Sequence, residues 1–166
     1  AKNKNLKVGI SFFTKKDFNE ILKSTIDFDF YKIPSAEFSN SELVLKAKST
    51  KKLLILSTGG HNLRDINKRL KFYDFQHNAV ILHCTSNYPS EIGSQNLNTI
   101  EKLKKNKNIE VGYSSHDIDY EVVFLAASLG AEYIERHVTL DKSGAGLDDS
   151  SSSELNEFIR INKILN

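Results

Sequence analysis

Hydroxyls, a lysine, amides and imidazoles recur in this 166-residue chain at one kind of place, the carboxyl end of a short apolar run. The run Val8–Phe13 ends at Thr14. Phe28–Ile33 carries Lys32 and leads to Ser35 and Glu37. Leu53–Leu56 leads to Ser57-Thr58-Gly59-Gly60, and Ala79–Cys84 to Thr85-Ser86-Asn87-Tyr88-Pro89. Ile109–Tyr113 leads to Ser114-Ser115-His116-Asp117, and Glu132–Val138 contains His137 and is followed by Thr139. Such a set suits an anionic, oxygen-rich ligand: hydroxyls and loop N–H groups cradle phosphate, and a lysine adds a point charge. His116 and His137 end adjacent runs, so their rings can reach one divalent ion that keeps open positions for substrate oxygens. Two histidines by themselves are not a metal signature.

Each residue also has a plainer reading. Ser57, Thr58 and Ser114 stand where helix N-caps stand. Lys32 sits inside an apolar run and needs a partner, which Glu37 could be. His83 reads as a hydrogen-bonded core histidine, His61 and His77 as surface residues, and Cys84 as a small core residue.

The elements that must position these groups follow from the spacing of the runs, which start about 20 to 30 residues apart, one βα unit each. Helical patterns lie between them. Ser39-Asn40-Ser41-Glu42 has the form of a capping box. Leu63, Ile66, Leu70 and Tyr73 recur at helical spacing, as do Leu97, Ile100 and Leu103. Val122–Leu129 is an apolar helix stopped by Gly130. Ser151-Ser152-Ser153-Glu154 is expected to open a last helix with Leu155, Phe158, Ile159 and Ile161 on one face, after a Gly/Ser/Asp loop at Lys142–Ser153. Alternating apolar strands and helices mean a parallel sheet covered by helices, in a single domain over residues 1–166. The pattern leaves two architectures: a (β/α)8 barrel lacking two of its eight units, or a small doubly wound sheet.

Bulk properties narrow the function. A net charge of +2 and no basic face interleaved with aromatics argue against nucleic acid. The densest charge run, Lys102–Lys107, falls at an expected helix end. No apolar run approaches the roughly 20 residues that span a bilayer. One cysteine excludes an intrachain disulfide and fits a reducing cytoplasm. Ala1–Asn5 has no signal-peptide core behind it, and a chain with no Met that starts at Ala1 reads as lacking its native start.

Five blocks in order carry a resemblance: Lys32-Ile33-Pro34-Ser35-Ala36-Glu37, Ile55-Leu56-Ser57-Thr58-Gly59, His83-Cys84-Thr85-Ser86-Asn87-Tyr88-Pro89, Gly112-Tyr113-Ser114-Ser115-His116 and Ile134-Glu135-Arg136-His137-Val138-Thr139-Leu140-Asp141. The series resembles the N-acetylneuraminate synthase family, which includes legionaminate and pseudaminate synthases. The resemblance implies a (β/α)8 TIM-type barrel and a transferase of sialic acid biosynthesis. The implied reaction condenses phosphoenolpyruvate with an N-acetylmannosamine-type acylamino sugar to a nine-carbon 2-keto acid and phosphate. It implies a divalent ion, Mn2+ or Mg2+, on His116 and His137. It implies phosphoenolpyruvate held by Lys32, Ser35, Ser57 and Ser114, with Thr14 and Glu37 as further members. Tyr88 with Ser86 or Asn87 would line the pocket near both substrates, and Asp148 would contact the acceptor. Lys32, Glu37, His116 and His137 are the expected catalytic set, and a homodimer is the expected assembly.

The chain departs from that family in places. Its first strand looks like the family's third, and neither the family's first two strand motifs nor its C-terminal antifreeze-like domain is present. Ser115 stands where Asp is common, and Asp117 where a hydroxyl or apolar residue is usual. The expectation is a piece of a longer synthase. The competing expectation is a non-catalytic relic that keeps a phosphate- or carboxylate-binding pocket.

Overall fold

A computed structural model describes residues 6–91 and 93–165. The reading of Ala1–Asn5 lies outside these described residues. Six strands, β1 (Gly9–Ser11), β2 (Phe30–Ile33), β3 (Leu53–Ser57), β4 (Ala79–Cys84), β5 (Glu110–Ser115) and β6 (Tyr133–Arg136), form one parallel sheet in chain order. The helices are α1 (Lys15–Lys23), α2 (Ser41–Lys48), α3 (Leu63–Tyr73), α4 (Asn98–Leu103), α5 (Val122–Ser128) and α6 (Leu155–Leu165). Spatial order equals sequence order, so there is no switch point, and the doubly wound alternative is excluded.

The sheet is curled. Four strand spacings separate β2 from β6, about 19 Å if the sheet were flat. Yet Lys32 Nζ on β2 lies 3.2 Å from Glu135 Oε1 on β6. The architecture is six strands of a (β/α)8 barrel, with helices on the convex face. Among the described residues, β1 and β6 each pair on one side only and do not pair with each other.

Strand parity divides the residues between the two faces. Tyr31, Ile33, Leu54, Leu56, Ala79, Ile81, Val111 and Tyr113 face the helices and form the main core with Phe38, Leu43, Ile66, Leu70, Tyr73 and Ile100. Their neighbours in sequence, Val80 and Leu82, are buried on the concave face. Two sites hold this packing tightly. Tyr73 Oη donates to the buried Phe38 carbonyl at 2.6 Å. A Cβ on Gly112 would stand 2.4 Å from the Tyr133 carbonyl oxygen and 2.6 Å from Leu82 Cδ2, so only glycine lets β6 approach β5.

Local departures from the sequence expectations have physical causes. Asn40, not Ser39, caps α2, accepting from Leu43 N at 3.2 Å, because the Ser39 hydroxyl is taken by His61 Nε2 at 2.8 Å. The Lys-rich run does follow α4, but Lys104 is not merely solvated: its Nζ donates to the Gly130 carbonyl and pairs with Glu132, both at 2.9 Å. The serine run does not open the last helix. Asp149–Ser151 is a 3-10 turn, and Ser153–Glu154 forms a strand, β8, parallel to β7 (Val138–Thr139). Ser153 N is claimed by the His137 carbonyl at 2.8 Å, which delays α6 to Leu155. Of the expected apolar face of α6, only Ile161 is buried; Leu155, Phe158 and Ile159 stay exposed, as do Phe13, Leu22 and Ile26 at the β1 flank. None of the described helices is long and apolar enough to cross a membrane.

Gly112→Ala is expected to cost about 1–3 kcal/mol from overpacking. Tyr73→Phe is expected to cost about 1–3 kcal/mol by leaving the Phe38 carbonyl unsatisfied. Urea midpoints measure both, and a Gly112→Ala protein as stable as wild type would show that β6 can move away freely.

Candidate functional site

The carboxyl ends of β1 to β6 and the loops beyond them line one recess of about 490 Å3. Lys32, Ser35, Ser57, Ser86, Tyr88, Ser114, His116, His137 and Asp148 all line it. So do Ser11, Phe13 and Glu135, which the sequence reading did not select. Three expected members stand elsewhere. Thr14 caps α1, its hydroxyl accepting from Asp17 N at 3.1 Å. Glu37, in the 3-10 turn Ser35–Glu37, does not pair with Lys32; its carboxylate accepts from Asn40 Nδ2 at 2.8 Å. Asn87 lines a neighbouring polar recess with Asn62, Thr85 and Asn96, and shares Ser86 with the main one.

The floor is a row of lumen-facing side chains linked by hydrogen bonds. Lys32 Nζ donates to Ser57 Oγ at 2.8 Å, and Ser114 Oγ donates to Glu135 Oε1 at 2.8 Å. Lys32 is therefore partly neutralised by Glu135 before any ligand arrives, and an incoming anion competes with that carboxylate for the ammonium. Ser57 and Ser114 are spent on this row and cap no helix; Asn62 caps α3, accepting from Asp65 N at 2.9 Å. Ser35 Oγ accepts from Gly59 N at 2.9 Å and lies 3.2 Å from Cys84 Sγ. A Cβ on Gly59 would fall 1.9 Å from Ser86 Oγ, so glycine is what lets these hydroxyls gather around that amide. Cys84 is buried, as its sequence position suggested.

The imidazoles stand on the other wall, ring centroids 5.6 Å apart. His116 Nδ1 is 3.2 Å from the Thr85 carbonyl, which can only accept, so Nδ1 carries the proton and Nε2 keeps its lone pair. His137 Nδ1 lies 3.3 Å from Asp148 Oδ2, which favours the same tautomer. Burial holds the His116 pKa below its ordinary value, outweighing its carbonyl bond, so the ring is neutral and able to ligate near pH 7. Two imidazoles held this way fit a divalent ion whose other positions are open. No group of three or more His, Cys, Asp or Glu is gathered for a metal among the described residues. Tyr88 tilts over His116 at a 4.0 Å centroid distance; burial first, then the charges of Cys84, Asp148 and Glu135, push its phenol up to about 12, so it stays neutral.

His83 faces away from the recess. It is buried, with Nε2 2.6 Å from the Gln95 carbonyl, the structural role its place inside a strand suggested. His61 is not a bare surface residue: it bonds Ser39 and the Gly59 carbonyl and packs against Phe38.

The model of the NeuB family matches residues 1–165. The chain is 36% identical over 141 residues to the N,N'-diacetyllegionaminic acid synthase of Campylobacter jejuni, covering 82% of this chain and 42% of that one. It is 36% identical over 160 residues to the pseudaminic acid synthase of the same organism, covering 95% of this chain and 46% of that one. It thus spans under half the length of these relatives. The crystal structure of the N-acetylneuraminic acid synthetase of Leptospira borgpetersenii superposes with a TM-score of 0.85 at 30% identity, over 99% of this chain and 60% of the other.

Burial lowers the pKa of His83 despite its bond to Gln95, as it does for His116. A depressed folded pKa means stability that is complete above the unfolded value of about 6.5 and is lost as pH falls through the folded value. The urea midpoint is therefore expected to drop between pH 7.5 and pH 5, and to drop less in His83→Gln. An equal drop in the variant would show that His83 titrates as it does in the unfolded chain.

Proposed function

The chain belongs to the NeuB family, and on that premise we propose that it carries the phosphoenolpyruvate- and metal-binding part of a synthase that makes a nine-carbon 2-keto acid from an acylamino sugar. The observation that carries this reading is the meeting, in one recess, of the Lys32–Ser57–Ser114 row with the His116 and His137 rings. Lys32 and the serines would take the phosphate and carboxylate charge of phosphoenolpyruvate, where fixed donors are worth most. Glu135 would hold Lys32 in place until that anion arrives. A divalent ion on His116 and His137, manganese or magnesium, would supply Lewis acidity to the aldehyde oxygen of the open-chain sugar; imidazole donors favour manganese of the two, since magnesium prefers all-oxygen surroundings.

The neutral Tyr88 phenol and Asp148 border the side of the recess nearest the imidazoles and would contact the acceptor. Asn87 would meet a more distant part of the sugar from its neighbouring recess. Glu37 would have to turn from Asn40 to reach a substrate. The methylene carbon of phosphoenolpyruvate would bond to the aldehyde carbon, water would add at the enol carbon, and phosphate would leave. The protein is expected to work in the cytoplasm and as a homodimer. A second reading is a binding module that keeps the same recess without turnover.

Calorimetric titration with Mn2+ and with phosphoenolpyruvate tests the proposal. His116→Ala/His137→Ala is expected to abolish Mn2+ binding and leave phosphoenolpyruvate binding measurable. Lys32→Ala is expected to weaken phosphoenolpyruvate about 10–100-fold, the worth of a charge-assisted hydrogen bond. Folded wild-type protein that binds neither ligand would sink the reading. Binding of both without product from N-acetylmannosamine-type sugars would favour the module.

A further inference from the structure

Behind the two imidazoles, on the convex side of the sheet, lies a buried polar cluster that the proposed reaction does not use. Asp117 is 1% exposed, and its carboxylate takes three donors. Tyr113 Oη at 2.7 Å and Ser115 Oγ at 2.8 Å reach Oδ2, and Gln95 Nε2 reaches Oδ1 at 2.8 Å. Arg136 grips the same cluster. Its Nη1 donates to Ser115 Oγ at 2.7 Å, its Nη2 to the Asp117 carbonyl at 2.8 Å, and its Nε to Ser153 Oγ. Ser115 thus passes one hydrogen bond on to the carboxylate while receiving another from the guanidinium.

The places of these residues in the chain give the cluster its meaning. Asp117 follows His116, and Arg136 precedes His137. Ser115 and Arg136 are register partners at the last paired position of β5 and β6. Beyond that position no ladder bond between β5 and β6 fixes how far apart the two histidine backbones stand. The guanidinium does so instead, because its planar fork reaches Ser115, the Asp117 carbonyl and Ser153 at once. Ser153 N then binds the His137 carbonyl at 2.8 Å, and Ser90 N binds the His116 carbonyl at 2.9 Å.

We propose that Asp117 and Arg136 are positioning residues: their buried tie sets the separation and aim of His116 and His137, and so the affinity of the pair for a divalent ion. This inference rests on the reading that the pair holds an ion. The plainer role, a cluster that only fastens β5, β6 and β8 together, makes a different prediction.

The test uses Ser115→Ala, Asp117→Asn and Arg136→Lys, the last keeping the charge but losing the fork. In the metal-free proteins, the imidazole Cε1–H signals of His116 and His137 are followed by NMR with labelled histidine, alongside thermal melting. Mn2+ and inorganic phosphate are then titrated separately by calorimetry. The expected result is shifted or broadened imidazole signals and a Mn2+ Kd raised about 10–100-fold, with the phosphate Kd unchanged. Unchanged imidazole signals and Mn2+ affinity in folded Asp117→Asn or Arg136→Lys would overturn the proposal. So would Mn2+ and phosphate weakening by the same factor, since the cluster would then hold the sheet rather than the pair. Where those two variants do not fold, Ser115→Ala, which loses one hydroxyl, decides by the same criteria. If wild type binds no Mn2+, the functional reading fails by itself. The imidazole signals then judge the tie: moved in the variants, it stands; unmoved, it falls.

Discussion

The ion pair between Lys32 and Glu135 is the constraint on which the site depends. It joins strands that are four places apart in the sheet, and only a curled sheet lets them meet at 3.2 Å. The curl follows from the twist of parallel strands packed under helices. With it, the carboxyl ends of β1 to β6 face one another across a recess, and six strand ends can act on one ligand. Without it, the serines, the lysine and the imidazoles would stand in a line. The pair also leaves the lysine's charge balanced while the recess contains no anion.

The same strands carry two chemistries because side chains alternate. On β2, Tyr31 and Ile33 pack under the helices while Lys32 between them reaches the recess. On β5, Tyr113 goes outward and Ser114 inward. A slip of one residue in register would bury the lysine and expose the core, so register is strongly specified. The outward positions are not all apolar: His83 on β4 is one polar exception, and the ends of β5 and β6 hold the others. There Ser115, Asp117 and Arg136 carry polar groups to the convex side, beneath the short β7–β8 pair rather than beneath an apolar helix face.

The sequence made the strands legible because parallel strands buried on both faces read as apolar runs, and all six lie within a residue or two of the expected spans. It made Lys32, His116 and His137 legible because polar groups at strand ends stand out against such runs. It could not reveal Glu135 as a partner of Lys32. That contact is set by curl, and nothing local in Tyr133–Arg136 announces it. Thr14 shows the opposite failure: a hydroxyl at a strand end reads equally as ligand or cap, and at this position the cap wins. The serine run before α6 misled for a related reason. Serine suits an N-cap, but here the backbone N–H of Ser153 has a better partner in the His137 carbonyl, between β6 and β7.

The exposed apolar side chains along the β1 flank and along α6 carry a thermodynamic consequence. They stay about half wet in the folded chain, so each contributes less to the heat-capacity change on unfolding than a buried side chain would. A domain of this length ordinarily shows about 2–2.5 kcal/mol/K. This one should fall below that, with a flatter stability curve and a weaker response to cooling. Covering the two flanks would restore the missing heat capacity, and at the β1 flank it would also reach Phe13, which lines the recess.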